Sequence, residues 1–474
     1  MSTGANPNYP AYVSDQNYGN TSYLFPFVGQ KPETFNGKNY VVLPYTPIVP
    51  NPNPPGGGTQ TNTVEVTVFG SSDGGVTWTE LDTANRKAVQ FTAGGATKPY
   101  GVVRSGSVFY VCLLGVSGME IEQFDMASET WGAQVASGGP SPDDCSAGAD
   151  GVLTAFSRIF PIRRSDGSFV VLYQGRILLF GQHFGRAYYT IWDGATWSSP
   201  VEVLGTLPSE FVRVGAAGAI LGTADRVHLF AASDNTIHGA YVYQMFHRAV
   251  DSSNVAHTVQ NIDSANKMGT IANTATVGTG ILASSSVQFP WLHITGTGFG
   301  GTLQTAVATA ASADVPAWTI EVPTLMASVS DFTYSPDVEN PFIFAMSMVS
   351  TAQPVARVYV QFDWNLSGIG AENFYLQIPV GNYGADDSIL FCWIWDSTSK
   401  DNDLIVMAPR AAGVWQNPIE IYRTVGTLVM CASTGETVIP PVTTGRVRYA
   451  GIGPPGLAGP RSGTRIRAGG VTIG

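Results

Sequence analysis

The stretch Val64-Glu65-Val66-Thr67-Val68-Phe69-Gly70-Ser71-Ser72-Asp73-Gly74-Gly75-Val76-Thr77-Trp78 decides how the rest of the chain is read. Apolar and polar residues alternate from Val64 towards Phe69, the period of a half-buried strand. A compact polar turn follows, and Thr79-Glu80-Leu81 resumes extended chain, so a β-hairpin is expected. The residue types divide the work of the turn. Asp73 and the Ser71 hydroxyl supply hydrogen bonds to turn backbone, Gly74 and Gly75 permit positive φ, and Trp78 folds back to bury a large ring.

Looser versions lie further along, in Phe124-Asp125-Met126-Ala127-Ser128-Glu129-Thr130-Trp131 and in Trp192-Asp193-Gly194-Ala195-Thr196-Trp197. Each follows a strand-like run and sets turn-forming residues ahead of Thr-Trp, as an eroded repeat would. Composition agrees. Of 474 residues only 12% are charged, about half the usual share, while 44% are hydrophobic and 11% aromatic. With Gly 54 and Pro 30, turns must be many, and no stretch has the Glu, Lys and Leu richness of a long helix. Runs such as Phe109–Leu114, Met119–Phe124, Phe169–Tyr173 and Ala187–Trp192 read as strands of a meander. At roughly 50 residues per four-stranded unit, about 370 residues make six or seven units. Residues 250–285, rich in Asn, Ser, Thr and Ala, fit worst and read as a long loop or irregular unit.

The pattern Ser-x-Asp-x-Gly-x-Thr-Trp, met at Ser71, Asp73, Gly75, Thr77 and Trp78, resembles the Asp-box, or bacterial neuraminidase repeat. That resemblance implies hairpins between the outer strands of β-propeller blades, in sialidases and in many non-enzymatic propellers. The fold class expected is all-β, a β-propeller of six or seven four-stranded blades with extended N- and C-terminal arms. Residues 1–62 form the N-terminal arm and Pro/Gly linker, 63–439 the propeller, and 440–474 a basic Gly/Pro-rich tail. Because the box opens the folded region, its blade is expected to be completed from the far end, by Ile419–Arg423 and Leu428–Cys431, which removes a free sheet edge.

The arms are expected to anchor the propeller in an assembly. Tyr9, Tyr12, Tyr18, Tyr23, Phe25 and Phe27 make the N-terminal arm too aromatic for a solvated tail. Arg446, Arg448, Arg461, Arg465 and Arg467 make the last segment basic, on a chain whose net charge is -11. An acidic body excludes nucleic acid as its partner. No secretory signal is visible in Met1–Asn20, and no apolar run approaches about 18 residues, so membrane insertion is not expected. Cys112 and Cys392 lie in apolar runs, where buried free thiols are usual. Low charge, aromatic arms and a basic tail resemble bacteriophage virion components such as tail, nozzle, decoration or fibre proteins. The leading expectation is therefore a non-enzymatic structural or adhesive virion protein, assembled in the host cytoplasm. Its arms would bind other copies of itself and other virion proteins, with a host glycan as a further partner.

Two alternatives stand beside it. Phe156-Ser157-Arg158-Ile159-Phe160-Pro161-Ile162 is similar to the segment that carries the first carboxylate-binding arginine of sialidases, which implies that role for Arg158. Phe160 is an insertion that changes the faces of later side chains, and the segment follows the box instead of preceding it. Arg163, Arg164, Arg186, Arg213 and Arg226 are spread over several units. The other alternative is a glycan-binding propeller, with Trp192, Tyr188, Tyr189 and Trp415 as aromatics able to stack on sugars. No catalytic residue is assigned. The six histidines lack HExxH or HxH spacing, and Asp396, Lys400, Asp401 and Asp403 lack the Gly and terminal Glu of an EF-hand loop, so neither metal nor cofactor is expected. Phosphate loops and nucleophile elbows are missing too.

Overall fold

The computed structural model describes residues 27–28, 33–47, 60–72, 79–93, 100–141, 159–179, 182–205, 212–235, 243–262, 280–294, 301–321, 342–350, 355–362, 372–379, 387–395, 403–416, 419–425, 428–430, 437–438, 450–451 and 465–466. Their regular structure is almost wholly antiparallel strand. The first sheet joins Glu33–Phe35, Lys38–Pro47 and Gln60–Ser71, and the last of these pairs with both Thr79–Leu81 and Lys87–Ala93.

Four consecutive four-stranded sheets follow, each with its strands in chain order. The second is Tyr100–Ser105, Val108–Gly115, Gly118–Asp125 and Thr130–Trp131. The third is Ile159–Arg163, Phe169–Leu179, Gln182–Trp192 and Val201–Glu202. The fourth is Val212–Leu221, Val227–Asn235, Tyr243–Val250 and Gln260–Asn261. Ile281–Ala283, Ser286–Ile294, Gly301–Ala308 and Thr319–Glu321 make the fifth. A larger sheet then orders Phe342–Ser350, Ser388–Trp395, Asp403–Ala411, Ile419–Val425, Leu428–Met430 and Arg465–Ile466.

The sheets are stacked face to face around their first strands. Tyr100–Ser105 touches Ile159–Arg163, which touches Val212–Leu221, which in turn touches Ile281–Ala283. Alternation along one strand shows how both faces are buried. Phe169, Val171 and Tyr173 pack with Phe109 and Val111 of the second sheet, while Val170 and Leu172 pack with Ala217 and Leu229 of the fourth. Each such side chain contributes roughly 1.5–3 kcal/mol by leaving water. Radial four-stranded sheets with buried faces make this chain a β-propeller, as the alternating runs and turn residues predict. Cys112 is a fully buried thiol, as its run implies, and burial pushes its pKa up.

The strand order also fixes the two ends of the propeller. In every four-stranded sheet the turns after the first and third strands emerge at one end, and the connections after the second and fourth emerge at the other.

Two sequence readings change. Ile419–Val425 pairs with Asp403–Ala411, and Leu428–Met430 pairs with Arg465–Ile466, so the far end does not complete the sheet of the box. That sheet is completed from the N-terminal side instead, by Lys38–Pro47, a segment placed by sequence in the extended arm. Pro44 and Pro47 hide this strand from a reading by alternation, and the pairing accommodates them with a register shift between Pro44 and Thr46. Of the arm aromatics only Phe27 is described; its backbone pairs with Gln361. Of the tail arginines only Arg465 is described, and its backbone pairs with Met430. Tyr9, Tyr12, Tyr18, Tyr23, Phe25, Arg446, Arg448, Arg461 and Arg467 lie outside the described residues.

Candidate functional site

The turns after the third strands carry a repeated device. Asp193 Oδ1 accepts hydrogen bonds from the N–H groups of Ala195 (2.8 Å) and Thr196 (2.7 Å), and the Thr196 hydroxyl donates to Oδ2 at 3.0 Å. Those bonds hold the Asp193 carboxyl below the usual carboxylate range. Asp125 accepts from the Ala127 N–H at 3.1 Å, which lowers its pKa likewise. Asp251, at the same place in the fourth sheet, accepts from the N–H groups of Ser253 and Val255, each at 2.9 Å. The full match is seen only at its start. Ser71 is buried at a strand end, whereas Asp73, Gly75, Thr77 and Trp78 lie outside the described residues.

A tryptophan then returns along the outer edge and leans on the preceding sheet. The backbone N–H of Trp131 donates to Asp82 Oδ2 at 2.8 Å, and its ring lies under Lys87. Trp197 Nε1 donates to the Ser137 carbonyl at 3.1 Å, and Trp318 Nε1 donates to Gln260 Oε1 at 3.3 Å. Trp318, which follows Pro316-Ala317 and no acid-Thr pattern, escapes the sequence reading.

One of these contacts leaves an opening. Between the outer edge of the second sheet and the third-strand turn of the third sheet lies a cleft of about 470 Å³. It is lined by Gln134, Val135, Ala136, Ser137 and Gly138 on one side, and by Trp192, Ala195, Thr196 and Trp197 on the other. The half-buried rings of Trp192 and Trp197 have centroids 5.4 Å apart and planes inclined at 46°. Gly139 seats Trp197, because a Cβ there would stand 2.8 Å from Trp197 Cε2. Of the other aromatics proposed for sugar stacking, Tyr188 and Tyr189 are buried in the cores between sheets and cannot serve, which corrects their assignment. Trp415 is only partly buried, and its Nε1 is enclosed without a hydrogen-bond partner.

The arginines do not converge among the described residues. Arg163 lies over the Tyr110 ring at 5.0 Å and donates to Ser105 Oγ at 3.0 Å. Arg164 is buried and donates to the Asp225 and Asp251 carbonyls and to Asn254 Oδ1; burial lowers its pKa. Arg186 pairs with Glu202, and Arg226 with Asp314. Arg158 lies outside the described residues. Asp225, Asp251, His257 and Asp314 belong to the same inter-sheet lattice around Arg164 and Arg226. Among the described residues no group of three or more His, Cys, Asp or Glu is placed to hold a metal ion, and no helix is long and apolar enough to cross a membrane.

A buried histidine pair ties the fourth sheet to the fifth. His228 Nε2 meets the Ala311 carbonyl, His228 Nδ1 meets His247 Nε2, and His247 Nδ1 meets Gln260 Oε1, all at 2.9 Å. Desolvation lowers the two values to about 4 and about 3, so both rings are neutral at pH 7. Three links then share two N–H groups. Turning the Gln260 amide over sets its oxygen against the Pro316 carbonyl and its NH2 against the Trp318 Nε1–H, so the shortage only moves. No sequence spacing announces this pair, since only cross-strand register brings 228 and 247 together.

No protein-family model matches the chain, and no curated protein matches it. Solved structures with a similar fold include an alpha-L-arabinanase of Penicillium chrysogenum complexed with arabinobiose, at 14% identity and TM-score 0.40, covering 76% of this chain and 94% of that one. An alpha-L-arabinofuranosidase of Fusarium graminearum with an iminosugar inhibitor is 12% identical at TM-score 0.42, covering 77% and 95%. An endo-arabinase of Bacteroides thetaiotaomicron is 10% identical at TM-score 0.33, covering 60% and 94%. These are likenesses of fold. The expectation of a non-enzymatic virion component is corrected by them: these three solved structures are glycosidases, with sugar or inhibitor bound in the first two, not virion parts.

Proposed function

We propose that this protein is a carbohydrate-binding β-propeller that engages a glycan through the Trp192/Trp197 cleft. The observation that carries the reading is an open cleft of about 470 Å³ lined by two tryptophans together with amide and hydroxyl side chains. The volume is of the order usual for small-molecule sites, and the lining is more polar than apolar, which suits a hydroxyl-rich ligand. An indole face offers apolar contact to the C–H face of a sugar ring, and Gln134, Ser137 and Thr196 offer hydrogen bonds to its hydroxyls. Each recurring tryptophan is first a bolt between sheets; Trp197 differs in also lining an open cleft. The same reading takes Ser71, Asp73, Gly75, Thr77 and Trp78 as an Asp-box hairpin, supported by the aspartate-held turns at Asp125, Asp193 and Asp251.

A glycan array probed with the full chain tests the proposal. The wild type is expected to give saturable signals that the double variant Trp192→Ala, Trp197→Ala reduces by about tenfold or more. Equal signals from the two proteins would place sugar binding elsewhere.

A further inference from the structure

We infer that the ligand of this cleft is an uncharged oligosaccharide, a conclusion that rests on the carbohydrate reading above. None of the residues lining the cavity carries an ionisable side chain. The nearest acid, Asp193, spends both oxygens on its own turn. Glu122, behind the wall, accepts from Gln134 Nε2 at 2.8 Å and faces Lys87 Nζ at 3.0 Å. Among the described residues no cation lines the cleft to meet a carboxylate, sulfate or phosphate.

A sialic or uronic acid would therefore meet no countercharge against the indoles, at a cost that grows as water is excluded. The field of a chain with net charge -11 opposes its approach as well. A quaternary ammonium ligand needs aromatic faces turned towards it. Here the two rings lean on one another at 5.4 Å, so a cation meets one face at most. The polar groups suit hydroxyls. Gln134 donates one N–H to Glu122, which leaves its amide oxygen to accept and its second N–H to donate, and the Thr196 hydroxyl donates to Asp193, which leaves its oxygen to accept. A sugar hydroxyl donates to both oxygens.

Isothermal titration of the full chain with three sets of probes decides the matter: neutral gluco-, xylo-, galacto- and arabino-oligosaccharides; sialyllactose and oligogalacturonate; and phosphocholine. A neutral member is expected to saturate, with affinity lowered about tenfold or more by Trp192→Ala or Trp197→Ala, and the acidic sugars to bind at least about tenfold more weakly. Acidic sugars that bind as well as neutral ones, and lose binding in the same variants, would overturn this inference and leave the carbohydrate reading intact. Phosphocholine binding alone, or no saturable binding of any sugar, would sink both. Ala195→Lys keeps the turn backbone and sets a cation on the rim, so it is expected to raise affinity for the acidic sugars by about tenfold; no gain would overturn the role assigned to the uncharged lining.

Discussion

Two seams of the propeller use the same parts to opposite ends. Between the second and third sheets, Trp192 and Trp197 meet at 46° and leave a cavity beside them. Between the fourth and fifth, Phe230 and Phe289 stack at 4.0 Å with an interplanar angle of 3°, and Trp318 closes edge-on over Phe230 and both histidines. Each seam seats its ring over a glycine: Gly139 under Trp197, and Gly218 under Phe289, where a Cβ would lie 2.6 Å from the ring. The difference lies in what fills the outer layer. In the closed seam two imidazoles and an amide occupy it; in the open seam the chain supplies a loop edge of small residues, Ala136, Ser137 and Gly138, and a short turn. A tryptophan at the outer edge is thus a packing device by default, and where its neighbours are small a cleft opens beside it.

Three perturbations sharpen the contrast, in decreasing order of effect. Phe289→Ala empties the closed seam and is expected to cost about 3–5 kcal/mol in urea unfolding; a loss under about 1 kcal/mol would mean that the seam is not packed as described. Acid acts on the same seam. The folded-state values of His228 and His247, about 4 and about 3, lie below the ordinary value of 6.5. Their stabilisation is therefore complete above pH about 6.5 and is lost as pH falls through 4 and 3, because the unfolded chain binds the protons first. The unfolding free energy is expected to fall by a few kcal/mol over that window, with a shallower slope in His247→Gln; an equal slope in the variant would count against the assignment. Gly139→Ala is milder, about 1–3 kcal/mol from overpacking against Trp197 and Met119. It should weaken sugar binding by more than it lowers stability, since it displaces the platform itself.

How far the sequence foretold these regions follows from the range of the signals. Alternating runs and polar turns are local, so the strands of the second and third sheets and the acid-to-tryptophan turns at Asp125 and Asp193 were legible. Trp192, at the end of a strand, was legible as a surface aromatic, while Tyr188 and Tyr189 in the same run were not distinguishable as core until both faces of the sheet proved buried. The turn at Asp251 was lost in a polar stretch, although Val250–Ile262 is a strand end, an aspartate-held turn and an outer strand. Lys38–Pro47 was concealed by its prolines. The histidine pair and the cleft depend on cross-strand register and on neighbouring sheets, which no local pattern encodes. Composition misled most: low charge and aromatic termini describe a chain's surface economy, not its partners.

The central claim is that the open seam, and not its closed counterpart, takes a sugar. Nitrogen-15 labelling of the tryptophan indoles, followed by titration with the neutral oligosaccharide that binds best, reads each Nε1–H separately. The signals of Trp192 and Trp197 should shift saturably while that of Trp318 stays in place; movement of Trp318 with Trp192 and Trp197 unchanged, or no movement at all, would contradict the account.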